Sequence, residues 1–305
     1  MVLNRGAEPF QRHVQLDDLT LAAFEWHAHL RGQGPTLLLV HATGFHGRVW
    51  DQVVRRLPPV HVVALELRGH GRSQTVRFEG WEDFGRDLAK AASALDLQDA
   101  VGVGHSMGAH ALVAAASVEP RRFARLMLID PPLFAPASYL NRPPLSGDPH
   151  PAVGRKNRFE SPQAMFDRLV QRLPYSTWDS EALRDYCEHG LRPAADGQGF
   201  ELACEPATEG RIYDTVRRDP GVYASIRALR IPVTVVRARE LDESIRPFDT
   251  LGSPTWPGLA GEFHDGRDLH LPDKTHLMPM EDPALVARLI EAAFAGADPA
   301  DAASV

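Results

Sequence analysis

The chain has 305 residues, of which 44% are hydrophobic and 24% charged, enough to bury roughly three quarters of its unfolded surface in one large domain or a core carrying an insertion. Its 33 basic and 40 acidic residues leave a net charge of -7, which gives no basic footprint for nucleic acid and excludes that class of partner. Residues 1–15 lack the apolar run of a secretion signal, and no stretch approaches the roughly 20 apolar residues of a membrane span, so a cytoplasmic location is expected.

Taken in chain order, residues 14–16 and 19–27 read as a hairpin. Short continuous apolar runs follow at 36–40, 60–65, 100–104, 126–129 and 233–236, the pattern of strands buried on both faces of a parallel sheet. Helical patterns fall between and after them at 50–57, 81–95, 107–118 and 283–294. The plan is α/β and doubly wound, with the ligand site expected at the carboxyl ends of the strands. After Ile129 the alternation stops. About a hundred residues rich in Pro, Arg and aromatics intervene, too many for a structureless loop. Helical patterns at 161–173, 180–190 and 205–218 make residues 133–228 an expected helical cap, inserted into a core formed by 1–132 and 229–305. The small, acidic residues 295–305 are expected to fray.

Cys187 and Cys204 are the only cysteines and are expected to be free thiols in a reducing compartment. The 14 histidines form no metal-binding spacing, and Cys187 with His189 supplies too few ligands, so no metal is expected. Gly102 and Gly104 suggest a dinucleotide loop only superficially, because the third glycine, Gly108, falls one place late. No organic cofactor is implied.

The chemistry concentrates at Gly104-His105-Ser106-Met107-Gly108, set between an apolar strand and an alanine-rich helix. A serine hydroxyl is a weak nucleophile unless it is exposed at a sharp turn, lies at a helix N-terminus and meets a base. The flanking glycines open room for that turn, and the Met107 N–H points at a developing oxyanion. The bland alternative is a serine that merely fills a tight turn. His276, in a loop before the last helix, is the candidate base. Asp242, a short loop after the 233–236 strand, is the candidate acid, in the chain order serine, acid, histidine. Glu240 in the same loop and Asp130 after the preceding strand compete with it, Asp130 reading more simply as a turn cap before Pro131.

With these residues in place the sequence resembles the α/β-hydrolase superfamily, in particular its serine-nucleophile, esterase- and lipase-like members with a helical cap. The likeness rests on five separated motifs: Val40 to His46, Glu66 to Ser73, the Ser106 elbow, the Asp242 loop, and His276 with its Met-Pro-Met-Glu-Asp-Pro sequel. Two departures stand out. His41 is followed by Ala42 where the family usually has glycine, and the acid loop is one residue longer than usual. By position the resemblance assigns the second oxyanion N–H to Thr43, with Gly44 and Phe45 as alternatives. His41, His70 and His105 read as structural residues that hydrogen-bond neighbouring loops.

The expected function is hydrolysis of a small-molecule carboxylic ester through an acyl-enzyme. His276 takes the Ser106 proton, Asp242 orients the imidazole, and Thr43 and Met107 bind the oxyanion. The serine argues against the family's aspartate-nucleophile epoxide hydrolases and haloalkane dehalogenases. Carbon-carbon bond hydrolases, lactonases and perhydrolases use the same triad, and a ligand receptor on the same fold is the rival from outside enzymology.

Overall fold

The continuous apolar runs become the middle of an eight-stranded sheet in the computed structural model, which describes residues 8–140, 149–241 and 251–303. Its strands are β1 (Phe10–Gln15), β2 (Thr20–Trp26), β3 (Leu37–Val40), β4 (Val62–Leu65), β5 (Ala100–His105) and β6 (Phe123–Ile129). Three short strands, β7 (Arg158–Phe159), β8 (Leu191–Pro193) and β9 (Phe200–Leu202), form a separate antiparallel sheet, and β10 (Val233–Arg237) and β11 (Gly266–His270) complete the large one. The large sheet runs β1-β2-β4-β3-β5-β6-β10-β11, antiparallel through the β1-β2-β4 edge and parallel from β4 to β11.

The helices are α1 (Asp51–Val54), α2 (Glu82–Ala94), α3 (Met107–Val118), α4 (Ala137–Leu140), α5 (Pro162–Leu169), α6 (Ser180–His189), α7 (Pro206–Thr215), α8 (Val222–Ala228), α9 (Met278–Glu281), α10 (Pro283–Ala295) and α11 (Pro299–Ala303). They cover both sheet faces. Because side chains alternate along a strand, Leu38 and Val40 of β3 join Phe84, Leu88, Leu112 and Ile226 on one side, while Leu37 and Leu39 join Val53, Leu285, Leu289 and Ile290 on the other. Each fully buried leucine contributes about 2 kcal/mol of transfer free energy, so losing either helical layer would strand the whole sheet face in water.

Local chemistry sets the helix ends. Asp179 caps α6 by accepting the Glu181 and Ala182 N–H groups, and Asp282 caps α10 through the Leu285 N–H with Pro283 in the first turn. Gly296 closes α10 in the left-handed conformation, at φ 72°.

Several elements differ from their expected extents. The 50–57 helix is a 3-10 turn, Gly47–Trp50, running into the short α1. Residues 299–303, expected to fray, form α11, whose Ala302 and Ala303 pack against the apolar cluster around α10. Residues 133–228 hold the small β7-β9-β8 sheet as well as helices. Among the described residues, no helix is long and apolar enough to cross a membrane.

Candidate active site

β5 ends at His105 and α3 begins at Met107, leaving Ser106 alone to turn the chain, with φ 53° and ψ -117°. A side-chain-bearing residue adopts that conformation only when its neighbours enforce it. Here the Ser106 N–H donates to the Ile129 carbonyl at 2.9 Å, and the Ser106 carbonyl accepts the Ala109 and His110 N–H groups at 3.0 and 3.2 Å. The flanking glycines are sterically required. A Cβ at Gly104 would lie 2.5 Å from the Ala109 nitrogen, and one at Gly108 would lie 2.3 Å from the Val40 carbonyl oxygen.

His276 reaches this corner from the loop between β11 and α9. Thr275 ties that loop down through its N–H and hydroxyl to Glu281, at 3.2 and 2.7 Å, and the His276 carbonyl accepts the His105 Nε2–H at 2.7 Å. The His276 Nε2 then stands 3.1 Å from Ser106 Oγ. Its Nδ1 lies 2.7 Å from a carboxylate oxygen of Asp130.

The carboxylate that the structure places on His276 is Asp130, the competitor from the preceding strand, and not the Asp242 preferred from the sequence. Asp242 lies outside the described residues, and Glu240 is exposed, 3.6 Å from Arg237. The strand register explains the substitution. His105 pairs with Ile129 across β5 and β6, so the next residue on each strand, Ser106 and Asp130, emerges at the same end of neighbouring strands. Asp130 turns at once into the left-handed region, φ 47°, its N–H held by the Val236 carbonyl at 2.7 Å. This conformation, invisible in the sequence, aims the side chain at His276 instead of capping the turn.

Asp130 is completely buried, yet well supplied with donors. Its second oxygen accepts the Ala238 N–H at 3.0 Å and the Ser253 hydroxyl at 2.5 Å, with the Thr255 hydroxyl at 3.2 Å. Burial pushes its pKa up, but His276, Ser253 and Ala238 outweigh that push and hold the carboxyl below its usual range. The loop after β10 thus contributes donors to an acid from β6. Sequence reasoning missed Ser253 and Thr255 altogether; their only signal was proximity to the loop already under scrutiny.

The N–H groups expected from the sequence to receive an oxyanion can be separated by their partners. Gly44 donates to His70 Nε2 at 3.1 Å and Phe45 to the Ala42 carbonyl at 3.2 Å. Among the described residues, neither the Thr43 nor the Met107 N–H has an acceptor, and the Thr43 hydroxyl rests on the Met107 sulfur at 3.5 Å. His41 accepts the Leu67 N–H at 3.0 Å and lies 2.8 Å from the Ala42 carbonyl, so a second imidazole fixes the same loop. Burial pushes the His70 and His105 pKa values down, to about 4 and about 3, leaving both neutral struts.

Side chains from residues 149–228 pack against the Thr43 loop. Phe45 meets Trp178 and Tyr186, and Arg155, which is ion-paired with Glu209, donates to the Tyr186 hydroxyl at 2.9 Å. A Cβ at Gly44 would lie 2.9 Å from the Glu209 carboxylate and 3.3 Å from Arg155 Nη1. Away from the site, Asp51, Asp185 and His189 bring their ligand atoms within 4.8 Å of one another, but the Arg48 guanidinium already holds Asp51 at 2.6 to 3.0 Å. Cys187 and Cys204 are buried free thiols, Cys187 pushed up to about 12 by burial.

Several known proteins are similar to this chain. A stretch of 110 residues is 33% identical to lipase LipV of Mycobacterium tuberculosis, and one of 112 residues is 40% identical to the pimeloyl-[acyl-carrier protein] methyl ester esterase of Vibrio campbellii. Each alignment takes in 34% of this chain, and the chain spans only about two fifths of either relative, 41% and 40%. The 2-(acetamidomethylene)succinate hydrolase of Mesorhizobium japonicum is 28% identical over 229 residues, 74% of this chain and 76% of that one. A crystal structure of E-2-(acetamidomethylene)succinate hydrolase superposes with a TM-score of 0.72 at 22% identity, covering 95% of this chain and 100% of that one. The sequence pattern of the alpha/beta hydrolase family matches residues 37–289, from β3 through most of α10, and the chain belongs to that family.

Proposed function

We propose that this protein is a serine hydrolase that cleaves carboxylic esters of small to medium acyl or aryl substrates through an acyl-enzyme. The observation that carries the reading is the unbroken line from Ser106 Oγ to His276 Nε2 and from His276 Nδ1 to Asp130, at 3.1 and 2.7 Å. In this mechanism His276 takes the hydroxyl proton as Oγ attacks the ester carbonyl, and later gives it to the leaving alkoxide. Asp130 holds the imidazole tautomer and stabilises its cation. The Thr43 and Met107 N–H groups receive the oxyanion, each worth on the order of 100-fold in rate, and water then releases the acid. Residues 133–228 act as the cap over the bound substrate. The relatives named lipase and methyl ester esterase support ester chemistry.

The test is turnover of a chain-length series of p-nitrophenyl esters by the wild type and by Ser106→Ala. Turnover that peaks at one acyl length and collapses in the variant is the expected result. A folded protein with no turnover on any ester would transfer the triad to carbon-carbon hydrolysis, or the fold to a ligand receptor.

A second reading rests on Arg155. Its guanidinium reaches the wall of the Thr43 loop, and guanidinium is well suited to a substrate carboxylate. The relative named for a succinate points the same way. On this reading a half-ester of a dicarboxylic acid is preferred over its neutral diester, and Arg155→Met removes the preference by raising KM for the half-ester alone.

A further inference from the structure

We propose that Ser253 is a positioning residue of the hydrolytic reaction, its hydroxyl fixing the Asp130 carboxylate in the orientation that His276 requires. The inference rests on the triad proposed above. It starts from proton counting. A serine hydroxyl has one proton and two lone pairs. Ser253 Oγ accepts the Thr255 N–H at 3.2 Å, which leaves its proton for the Asp130 oxygen 2.5 Å away. Thr255 cannot replace it. The Thr255 hydroxyl lies 2.7 Å from the Pro131 carbonyl, which has no proton to offer, and 3.2 Å from Asp130, so its own proton goes to Pro131. The side-chain donor to the rear oxygen of Asp130 is therefore Ser253, assisted by the Ala238 N–H at 3.0 Å.

The main chain shows why this hydroxyl orients as well as satisfies. The Ser253 N–H is held by the Arg239 carbonyl at 2.8 Å, and the Arg239 N–H by the Lys274 carbonyl at 2.9 Å, two residues before His276. Ser253 is thus registered against the loop that carries the base while its side chain grips the acid. Without that grip the rear oxygen keeps the Ala238 N–H and only the longer, 3.2 Å approach of the Thr255 hydroxyl, and the carboxylate plane can turn away from the imidazole. The titratable and charged groups facing Asp130 are His276, His105 on β5 and Arg237 at the end of β10, and Arg237 is already engaged with Asp268 at 2.7 and 2.8 Å.

The experiment is Ser253→Ala, read by kcat, KM and the pH profile of kcat/KM on the best p-nitrophenyl ester. Loss of the donor makes Asp130 easier to protonate and leaves more negative charge on the oxygen facing His276. Both effects raise the pH at which the pair takes up its proton. The acid limb is expected to move up by about one pH unit and kcat to fall about tenfold, the equivalent of one charge-assisted hydrogen bond, with KM little changed. Ser253→Thr, which keeps the hydroxyl, restores the wild-type profile. An unmoved acid limb in a folded Ser253→Ala protein overturns the proposal, whatever the loss of thermal stability. If the alanine variant does not fold, Ser253→Cys, with its weaker S–H donor, carries the same test. NMR titration of His276 in the resting enzyme reads the same shift without any substrate, so a failure of the ester reading, seen with Ser106→Ala, is distinguishable from a failure here.

Discussion

Asp130→Asn removes the charge beside His276 and offers an amide that favours the wrong imidazole tautomer, so kcat should fall by about 10⁴-fold with the fold intact. Asp242→Asn made in parallel should cost far less, and a reversal of that order in steady-state assays would return the acid role to the later loop. The two candidates show what residue types alone can say. Ser106 and His276, which the structure brings within 3.1 Å, could be picked from the sequence by their distinctive settings, a glycine-flanked corner for one and a loop before the final helix for the other. Asp130 was visible but read as a turn cap, since Asp-Pro-Pro after a strand is an ordinary turn signal. Its role depends on a φ of 47° and on adjacency to β5, and neither leaves a local trace in the sequence. The supporting hydroxyl of Ser253 was less legible still, because a serine in a loop satisfies some neighbour almost anywhere.

The packing of α3 against β3 makes a prediction about elements. A methyl group at Gly108 would sit 2.3 Å from the Val40 carbonyl and 2.7 Å from that of His41, and neither main-chain atom can rotate aside. Gly108→Ala should destabilise by about 3 kcal/mol and lower the melting temperature by several degrees, whereas Gly34→Ala, with nothing within 4 Å of the new carbon, should be near neutral in the same melts. Strands β3 to β6 and β10 were readable as apolar runs because helices bury both their faces. β11 was not. Its sequence, Gly-Arg-Asp-Leu-His, belongs to an edge strand whose side chains stay half-exposed or exposed, so no hydrophobic run marks it. The strands β7, β8 and β9 are two or three residues long, too short for any periodicity to register.

For the molecule as a whole, the buried imidazoles should make stability fall in acid. Burial drives His70 down to about 4 and both His105 and His110 down to about 3, while their unfolded value is about 6.5. The unfolded chain therefore binds protons first as pH falls. The stability associated with these groups is complete above about 6.5 and is lost progressively toward pH 4 and then 3, at up to about 1.4 kcal/mol per pH unit for each. Melting temperature should be flat from pH 8 to 7 and fall steeply below pH 6. His110→Leu should flatten that fall, because it removes one of the three buried imidazoles, although it also gives up the 3.5 Å contact between His110 Nε2 and the Asp219 carboxylate. A slope unchanged by His110→Leu would show that this imidazole does not take part.

The His105 and Ile129 pairing has a consequence for how such a protein can diversify. Ser106 and Asp130 leave neighbouring strands one residue beyond the same pair, so their spacing is inherited from sheet geometry and not from any loop. Residues 133–228 lie downstream of both and upstream of His276, so changes within them leave the strand pairing that spaces Ser106 and Asp130 intact. Recombination at the borders of this segment would replace it while carrying Ser106 and Asp130 along as a unit.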